Sequence, residues 1–184
     1  MDPLRTDEEL ALDVQQGNSE AFSMLFNRYE QKMLRYGKRF LYTYEDLEDA
    51  VQEVFIKAYK NVQSFNTTKK FSTWLYRIAH NTFINVIKKN GREPVSFFDF
   101  DTLVKIPSKT TDTLEDDFLK AQDSESLAGI MKKLSPKYRE ALVLFYFEEL
   151  EYKEIAEVLK IPTSTVGVRI TRGRAMLKKM ISNT

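Results

Sequence analysis

The chain contains no cysteine and a single histidine, His80. Disulfides and thiolate metal centres are therefore excluded, and most histidine-based catalysis and metal ligation go with them. No stretch of about twenty uncharged apolar residues is present, so the sequence offers no membrane span. The opening residues, MDPLRTDEEL, are polar and acidic where a signal peptide needs a basic start and an apolar run. A cytoplasmic protein with no metal and no cofactor is the expectation. Charge of one sign is also missing from particular blocks. Between Glu45 and Glu53 lie Glu45, Asp46, Glu48, Asp49 and Glu53 with no base; from Lys69 to Arg92 there are Lys69, Lys70, Arg77, Lys88, Lys89 and Arg92 with no acid. From Lys160 onward the charges are Lys160, Arg169, Arg172, Arg174, Lys178 and Lys179, again with no acid. The formal net charge of +1 conceals this segregation. Two basic stretches in separate parts of the chain suggest two contacts with a polyanion.

What is present is helical periodicity almost throughout, with no convincing strand alternation, so the fold class is all-α. At 184 residues the chain suffices for one ordinary domain or two small ones. Leu10, Leu12 and Val14 fall in a short first helix ended by Gly17-Asn18. Ser19 suits an N-cap for a longer helix burying Phe22, Leu25, Phe26, Met33 and Leu34. A third helix starts near Tyr44 and runs to about 62, burying Leu47, Val51, Val54, Phe55 and Ala58. After a polar loop, a fourth runs from about Phe71 to Lys89 with Phe71, Leu75, Ile78, Thr82 and Val86 on one face, stopping before Gly91 and Pro94. Periodicity is then lost until about Ser124, in an acidic stretch that carries Phe97, Phe98 and Phe100 as well as Asp112, Glu115, Asp116 and Asp117. It reads as a flexible linker over 94–124, separating a domain at 1–93 from one at 125–184. The second unit has a helix from about Glu125 to Leu134, then Ser135 as N-cap and Pro136 at the first helical position. Two more helices follow, about Tyr152 to Leu159 and Ser164 to Met180.

That last pair has the spacing of a helix-turn-helix. Ile155, Ala156 and Leu159 point inward, Ile161 plugs the turn, and Val166, Ile170, Gly173 and Leu177 form the inner stripe of the second helix. Its outer face then carries Thr165, Val168, Arg169 and Arg172, with Thr163 and Ser164 at the amino end and Arg174 beyond. Hydroxyls and guanidiniums there can pair with base edges and phosphates in a major groove. The competing reading is a plain helical hairpin with a solvated basic face. Cations at a helix carboxyl end account for Lys178 and Lys179 but not for Arg169 or Arg172, which favours DNA. On the fourth helix, Arg77, Asn81, Asn85 and Lys88 line one face next to a loop bearing Phe65 and Asn66. Cations to hold phosphates and loop groups to receive an unstacked base suit single-stranded DNA. Trp74 and His80 read as structural. Asp46, Asp49, Gln52 and Glu53 share an exposed side of the third helix, which by itself is an ordinary solvated acidic face or a site for a basic partner.

Three segments resemble the extracytoplasmic-function sigma factors, in the order that family has them. Tyr44 to Tyr59, YEDLEDAVQEVFIKAY, is similar to its polymerase-binding helix; Phe71 to Lys89, FSTWLYRIAHNTFINVIKK, to its promoter-melting helix; and Ile161 to Leu177, IPTSTVGVRITRGRAML, to its reader of the upstream promoter element. The resemblance implies a non-enzymatic initiation factor that binds RNA polymerase core, recognises promoter DNA as duplex and as melted strand, and answers to an anti-sigma factor. It implies polymerase contacts by Asp46, Asp49, Gln52, Glu53 and Phe55, with the clamp coiled coil of the largest subunit as the partner. It places the minus-ten element on Phe65, Asn66, Arg77, Asn81, Asn85 and Lys88, with a base flipped into the Phe65-Asn66 loop. The minus-thirty-five element falls to Thr163, Ser164, Thr165, Val168, Arg169, Arg172 and Arg174. The linker would thread the polymerase active-site and RNA-exit channels. Some positions depart from the pattern: Lys160 where Gly or Asn is common, which requires a left-handed non-glycine residue; Gly167 and Val168 where Lys and a small hydroxyl residue are usual; and Asn85 where Asp is frequent. Rival functions are a stand-alone helix-turn-helix regulator with a sensory first domain, and a nuclease using Asp46, Asp49 and Glu53 as magnesium ligands.

Overall fold

The computed structural model describes residues 5–41, 43–89, 131 and 133–181. Every regular element among them is a helix: α1 Asp7–Gln15, α2 Ser19–Gly37, α3 Tyr44–Asn61, α4 Phe71–Lys89, α5 Pro136–Tyr146, α6 Tyr152–Leu159 and α7 Thr163–Ile181, with a 3-10 turn at Val62–Ser64. None is long and apolar enough to cross a membrane. The sequence reading of 94–124, and of the helix from 125 apart from Met131 and residues 133 and 134, falls outside the described residues.

The first four helices form one bundle. Thr6 and Glu9 make a reciprocal capping box that starts α1. α2 begins one residue earlier than the Ser19 cap expected from sequence: Asn18 is the N-cap, and its side chain accepts from the Glu20 and Ala21 amides. Thr43 caps α3. α4 borrows its cap from a distant part of the chain, since Glu8 Oε1 accepts from the Phe71 amide at 2.8 Å and so brings a negative charge to the positive end of the helix. Gln15 Nε2 holds the loop between α3 and α4 by donating to the carbonyls of Val62 (2.7 Å) and Phe65 (2.8 Å).

The core follows the apolar stripes with some changes. Leu47, Val51, Val54, Phe55 and Ala58 of α3 are all buried, as expected. In α1, Leu12 is 43% exposed and Ala11 takes the inward place. In α2 the expected Phe22, Phe26 and Leu34 are only partly covered, while Tyr29 and Tyr36 are buried. Gly37 allows α2 to end against its neighbours, because a Cβ there would lie 2.5 Å from Leu47 Cδ1 and 3.1 Å from Phe83 Cζ.

In the second unit, Ser135 and Pro136 open α5 at the expected positions. α6 and α7 are the helix-turn-helix pair, with the turn one residue shorter than expected because α7 already begins at Thr163. Lys160 does adopt the left-handed conformation (φ 54°, ψ 46°), and its amide and that of Ile161 both return to the Ala156 carbonyl. Ile155, Val166, Ile170 and Leu177 are buried, and so is Val158, which the sequence reading missed. Gly173 lies where α7 crosses α5: a Cβ would meet Leu142 Cδ1 at 2.8 Å.

Candidate nucleic-acid and partner interfaces

The loop after α3 and the first two turns of α4 enclose a cavity of about 230 Å³ lined by Ser64, Phe65, Asn66, Lys69, Lys70, Thr73, Trp74 and Arg77, with Glu157 of α6 at its edge. That is below the about 300–1,000 Å³ of ordinary small-molecule sites and suits a single flat ring. Its floor is aromatic. Phe65, expected as a loop aromatic that meets a base, is instead buried, with its ring 5.6 Å from Phe71 and 5.2 Å from Trp74, centroid to centroid. The exposed member of the pair is Asn66. Its Oδ1 accepts from the Thr68 amide (3.0 Å) and hydroxyl (2.8 Å), which fixes the loop as an Asx turn and leaves the amide N–H groups as the donors it can offer outward. Trp74 is half-buried against the core, as its structural reading required. Further along α4, Asn81, Asn85 and Lys88 are exposed and Arg77 is partly covered. Asn85 also lines a groove with Asp46, Asp49, Glu53 and Lys89, and so stands at the border of the acidic face.

On α3, Asp49, Gln52 and Glu53 are exposed and Asp46 is partly so. Glu53 pairs with Lys57 at 2.7 Å, one turn on. Phe55, expected among the contact residues, is only 5% exposed and packs against Phe22 and Phe26. What reaches the surface beside the acids is an apolar groove of about 380 Å³ formed by Phe22, Phe26, Gln52, Phe55, Ile56, Tyr59 and Lys60. Ile56 and Tyr59 are about half exposed, at 53% and 50%. Sequence reasoning passed over both; the available signal was large apolar residues lying off the buried stripe of an otherwise regular helix. Among the described residues no group of three or more acids or histidines is arranged to hold a metal, which removes the ground for a nuclease.

On α7, Thr163, Ser164 and Val168 are exposed, and Thr165, Arg172 and Arg174 are partly covered. Gly167 lies under the Tyr152 ring, where an added Cβ would sit 3.5 Å from Cε2. Arg169 is the correction. Expected on the outer face, it is 5% exposed, turned toward the first domain. There it acts on two buried groups. His80 is driven down to about 4, first by burial and then by the charges of Lys160 and Arg169. Glu140 of α5 is pushed up to about 8 by burial, against the opposing pull of Arg169 and Arg139.

Both domains meet along α4. Thr73 Oγ1 donates to Glu154 Oε1 at 3.0 Å, Lys70 Nζ lies 3.0 Å from Glu154 and 3.5 Å from Glu151, and Lys69 Nζ is 3.3 Å from Glu157. The Tyr76 hydroxyl donates to Glu148, Arg139 Nη1 to the Arg39 carbonyl at 3.3 Å, and the Arg39 guanidinium stacks 4.3 Å above the Phe147 ring.

The architecture defines a two-domain helical DNA-binding protein, with a helix-turn-helix in the second domain and a cation- and amide-lined cavity in the first. Comparison with known proteins is specific about the kind. Sigma-70 region 2 matches residues 25–93 and Sigma-70, region 4 matches 124–177. The ECF RNA polymerase sigma factor SigW of Bacillus subtilis is 37% identical over 175 residues, covering 91% of this chain and 92% of that one. Two solved structures share the fold. CnrH in complex with the cytosolic domain of CnrY has a TM-score of 0.72 at 23% identity, covering 97% of this chain and 99% of the other. The sigma factor RpoE in complex with the anti-sigma factor NepR from Bartonella quintana has 0.67 at 23% identity, covering 88% and 96%. The chain belongs to the extracytoplasmic-function family of RNA polymerase sigma factors.

Proposed function

We propose that this sigma factor works in the cytoplasm without catalysing any reaction itself, and that its three surfaces act in sequence on core polymerase and promoter. The acidic face of α3, with Asp46, Asp49, Gln52 and Glu53, and the adjoining apolar groove hold the polymerase core. Ile56 and Tyr59 supply the apolar contact for which Phe55 serves as the floor. α7 reads the minus-thirty-five duplex through Thr163, Ser164, Thr165, Val168, Arg172 and Arg174, joined by Arg169 once it turns outward. The cavity beside Asn66 takes an unstacked base of the minus-ten element, while Arg77, Asn81 and Lys88 follow the strand and Asn85 stands between strand and polymerase. An anti-sigma partner is in keeping with the complexes formed by proteins of like fold.

The observation that carries this reading is the cavity itself, with an aromatic floor, a fixed loop asparagine at the rim and lysines at its mouth on an α4 face that continues in exposed amides. Stacking and phosphate neutralisation are the two terms that single-strand binding requires. Asn66→Ala and Asn81→Ala variants, assembled with core on a promoter, should form the closed complex at low temperature and show reduced permanganate reactivity of thymines in the bubble. A premelted template should restore part of the transcription. Normal thymine reactivity in both variants would remove this surface from strand opening.

A further inference from the structure

α4 is buried on two sides, and the two sides differ in chemistry. One is the apolar stripe of Phe71, Leu75 and Phe83 that faces its own bundle. The other is Thr73, Tyr76 and His80, all under 9% exposed and all polar. They face α6, α7 and the segment before α6. The basic block from Lys69 to Arg92 contains no acid, so Lys69 and Lys70 find their partners in the other domain. Glu151, Glu154 and Glu157 follow one another at three-residue spacing and present one row of carboxylates to the mouth of the Asn66 cavity. Glu157 is part of the cavity wall. The same packing draws Arg169 under cover beside His80. A single contact thus engages groups from both candidate DNA surfaces.

We propose that this packing is an autoinhibitory contact, in which the carboxylates of Glu151, Glu154 and Glu157 occupy the phosphate positions at the mouth of the Asn66 cavity while Arg169 is withdrawn from the duplex-reading face. The inference rests on reading that cavity as a strand-binding site. The contact is built to be reversible. Its ion pairs involve lysines that are 61% exposed, individually weak and screened by salt, and an interface lined by polar groups separates more readily than an apolar core. Binding of core to the opposite, α3 side of the first domain would leave α4 free to exchange these carboxylates for DNA phosphates.

The test uses the full chain with Glu151→Gln, Glu154→Gln and Glu157→Gln together. Glutamine preserves the acceptor of the capping box that Glu151 and Glu154 form at the start of α6, so the helix is kept. Because the three changes raise the formal net charge from +1 to +4, the control is Glu20→Gln, Glu30→Gln and Glu45→Gln, which raises it equally away from the contact. Small-angle scattering reads the radius of gyration, and fluorescence anisotropy reads binding of a labelled mixed-sequence single-stranded 12-mer. The expected result is an increase of several ångströms in the radius and at least about fivefold tighter binding than the control. The salt dependence should steepen by about 1.4 in log Kd per log salt if both lysines then meet phosphates. Initiation with core should persist in the contact variant. An unchanged radius together with unchanged binding overturns the autoinhibitory contact while leaving the cavity assignment standing, as does a wild-type chain already as expanded as the variant. An expanded chain that binds the 12-mer no better than the control sinks the cavity assignment, and the inference with it.

Discussion

Glu140 provides a quantitative test of how the second domain is built. Its side chain is fully buried in α5, and neither carboxylate oxygen has a hydrogen-bond partner. Burial pushes its pKa from 4.5 up to about 8, with Arg169 and Arg139 opposing. An acid whose folded pKa is raised contributes stability that is fully present below the unfolded value and is lost as pH rises through the folded one. At pH 7 the folded chain still holds the proton, whereas the unfolded chain has released it at 4.5. Over those two and a half pH units, at 1.36 kcal/mol each, the folded state gives up about 3 kcal/mol. Glu140→Gln has nearly the same shape and cannot ionise, so it reproduces the protonated state at every pH. Urea denaturation followed by circular dichroism should show the variant and wild type matched near pH 4.5, and the variant more stable by about 3 kcal/mol at pH 7. The difference should level off above pH 8. Taking the difference between two chains that share every other titrating group cancels their contributions, including that of His80. A variant that is less stable than wild type by a pH-independent amount would mean that Glu140 is ionised in the fold and paired with the two arginines, and the reasoning would fail.

His80 acts with the opposite sign. Its folded pKa is depressed to about 4 by burial, then by Lys160 and Arg169, so the protein should lose about 2 kcal/mol between pH 7 and pH 5 as the unfolded or separated state takes up the proton. Because the cations come from the second domain, His80→Gln should flatten both this loss and any acid-induced expansion seen by scattering; an unaltered pH profile would refute the assignment. At the crossing of α5 and α7, Gly173→Ala places a methyl 2.8 Å from Leu142 Cδ1 and 3.3 Å from Tyr138 Cβ. Overpacking of this sort should lower stability by about 1–3 kcal/mol, read as a shift in the urea midpoint; no shift would mean that the crossing is looser than it is drawn.

The helices were legible because most of them are amphipathic with marked ends. α3 is the clearest case: its five expected apolar positions are the buried ones, and Thr43 and the acids after it mark the start. Where the reading erred, the cause was local. Asn18 and Ser19 are both good caps, and Asn18 prevails by accepting from two amides. Leu12 projects outward because α1 is short enough to cover its neighbours with Leu10, Ala11 and Val14. Tyr29 and Tyr36 escaped notice as core residues because a hydroxyl makes tyrosine look amphipathic. Here the Tyr29 hydroxyl reaches Asp7 and the Tyr36 hydroxyl lies 3.4 Å from His80 Nδ1, so both rings can be buried with the oxygen satisfied.

The positions that sequence periodicity could not place are those fixed by the meeting of the two domains. Arg169 lies one residue from Ile170 and four from Val166 and Gly173 is four beyond it, so helical spacing alone leaves it on the edge of the inner stripe. Whether it turns in or out depends on what lies against that edge. The sequence reading took α7 as a reader with only duplex on its outer side; with α4 alongside, the guanidinium turns inward instead. On α4, Thr73, Tyr76 and His80 form a second inward row that no hydrophobicity pattern would reveal. The polarity of that row is informative in itself. A permanent core favours apolar groups there, because each buried polar group must find a partner or lose stability. Thr73, Tyr76 and their partners Glu154 and Glu148 can be hydrated without loss when the domains part, and His80 regains its ordinary affinity for protons. An initiation factor that must spread its two domains along a promoter requires a surface that is stable both covered and exposed, and α4 has the composition for it.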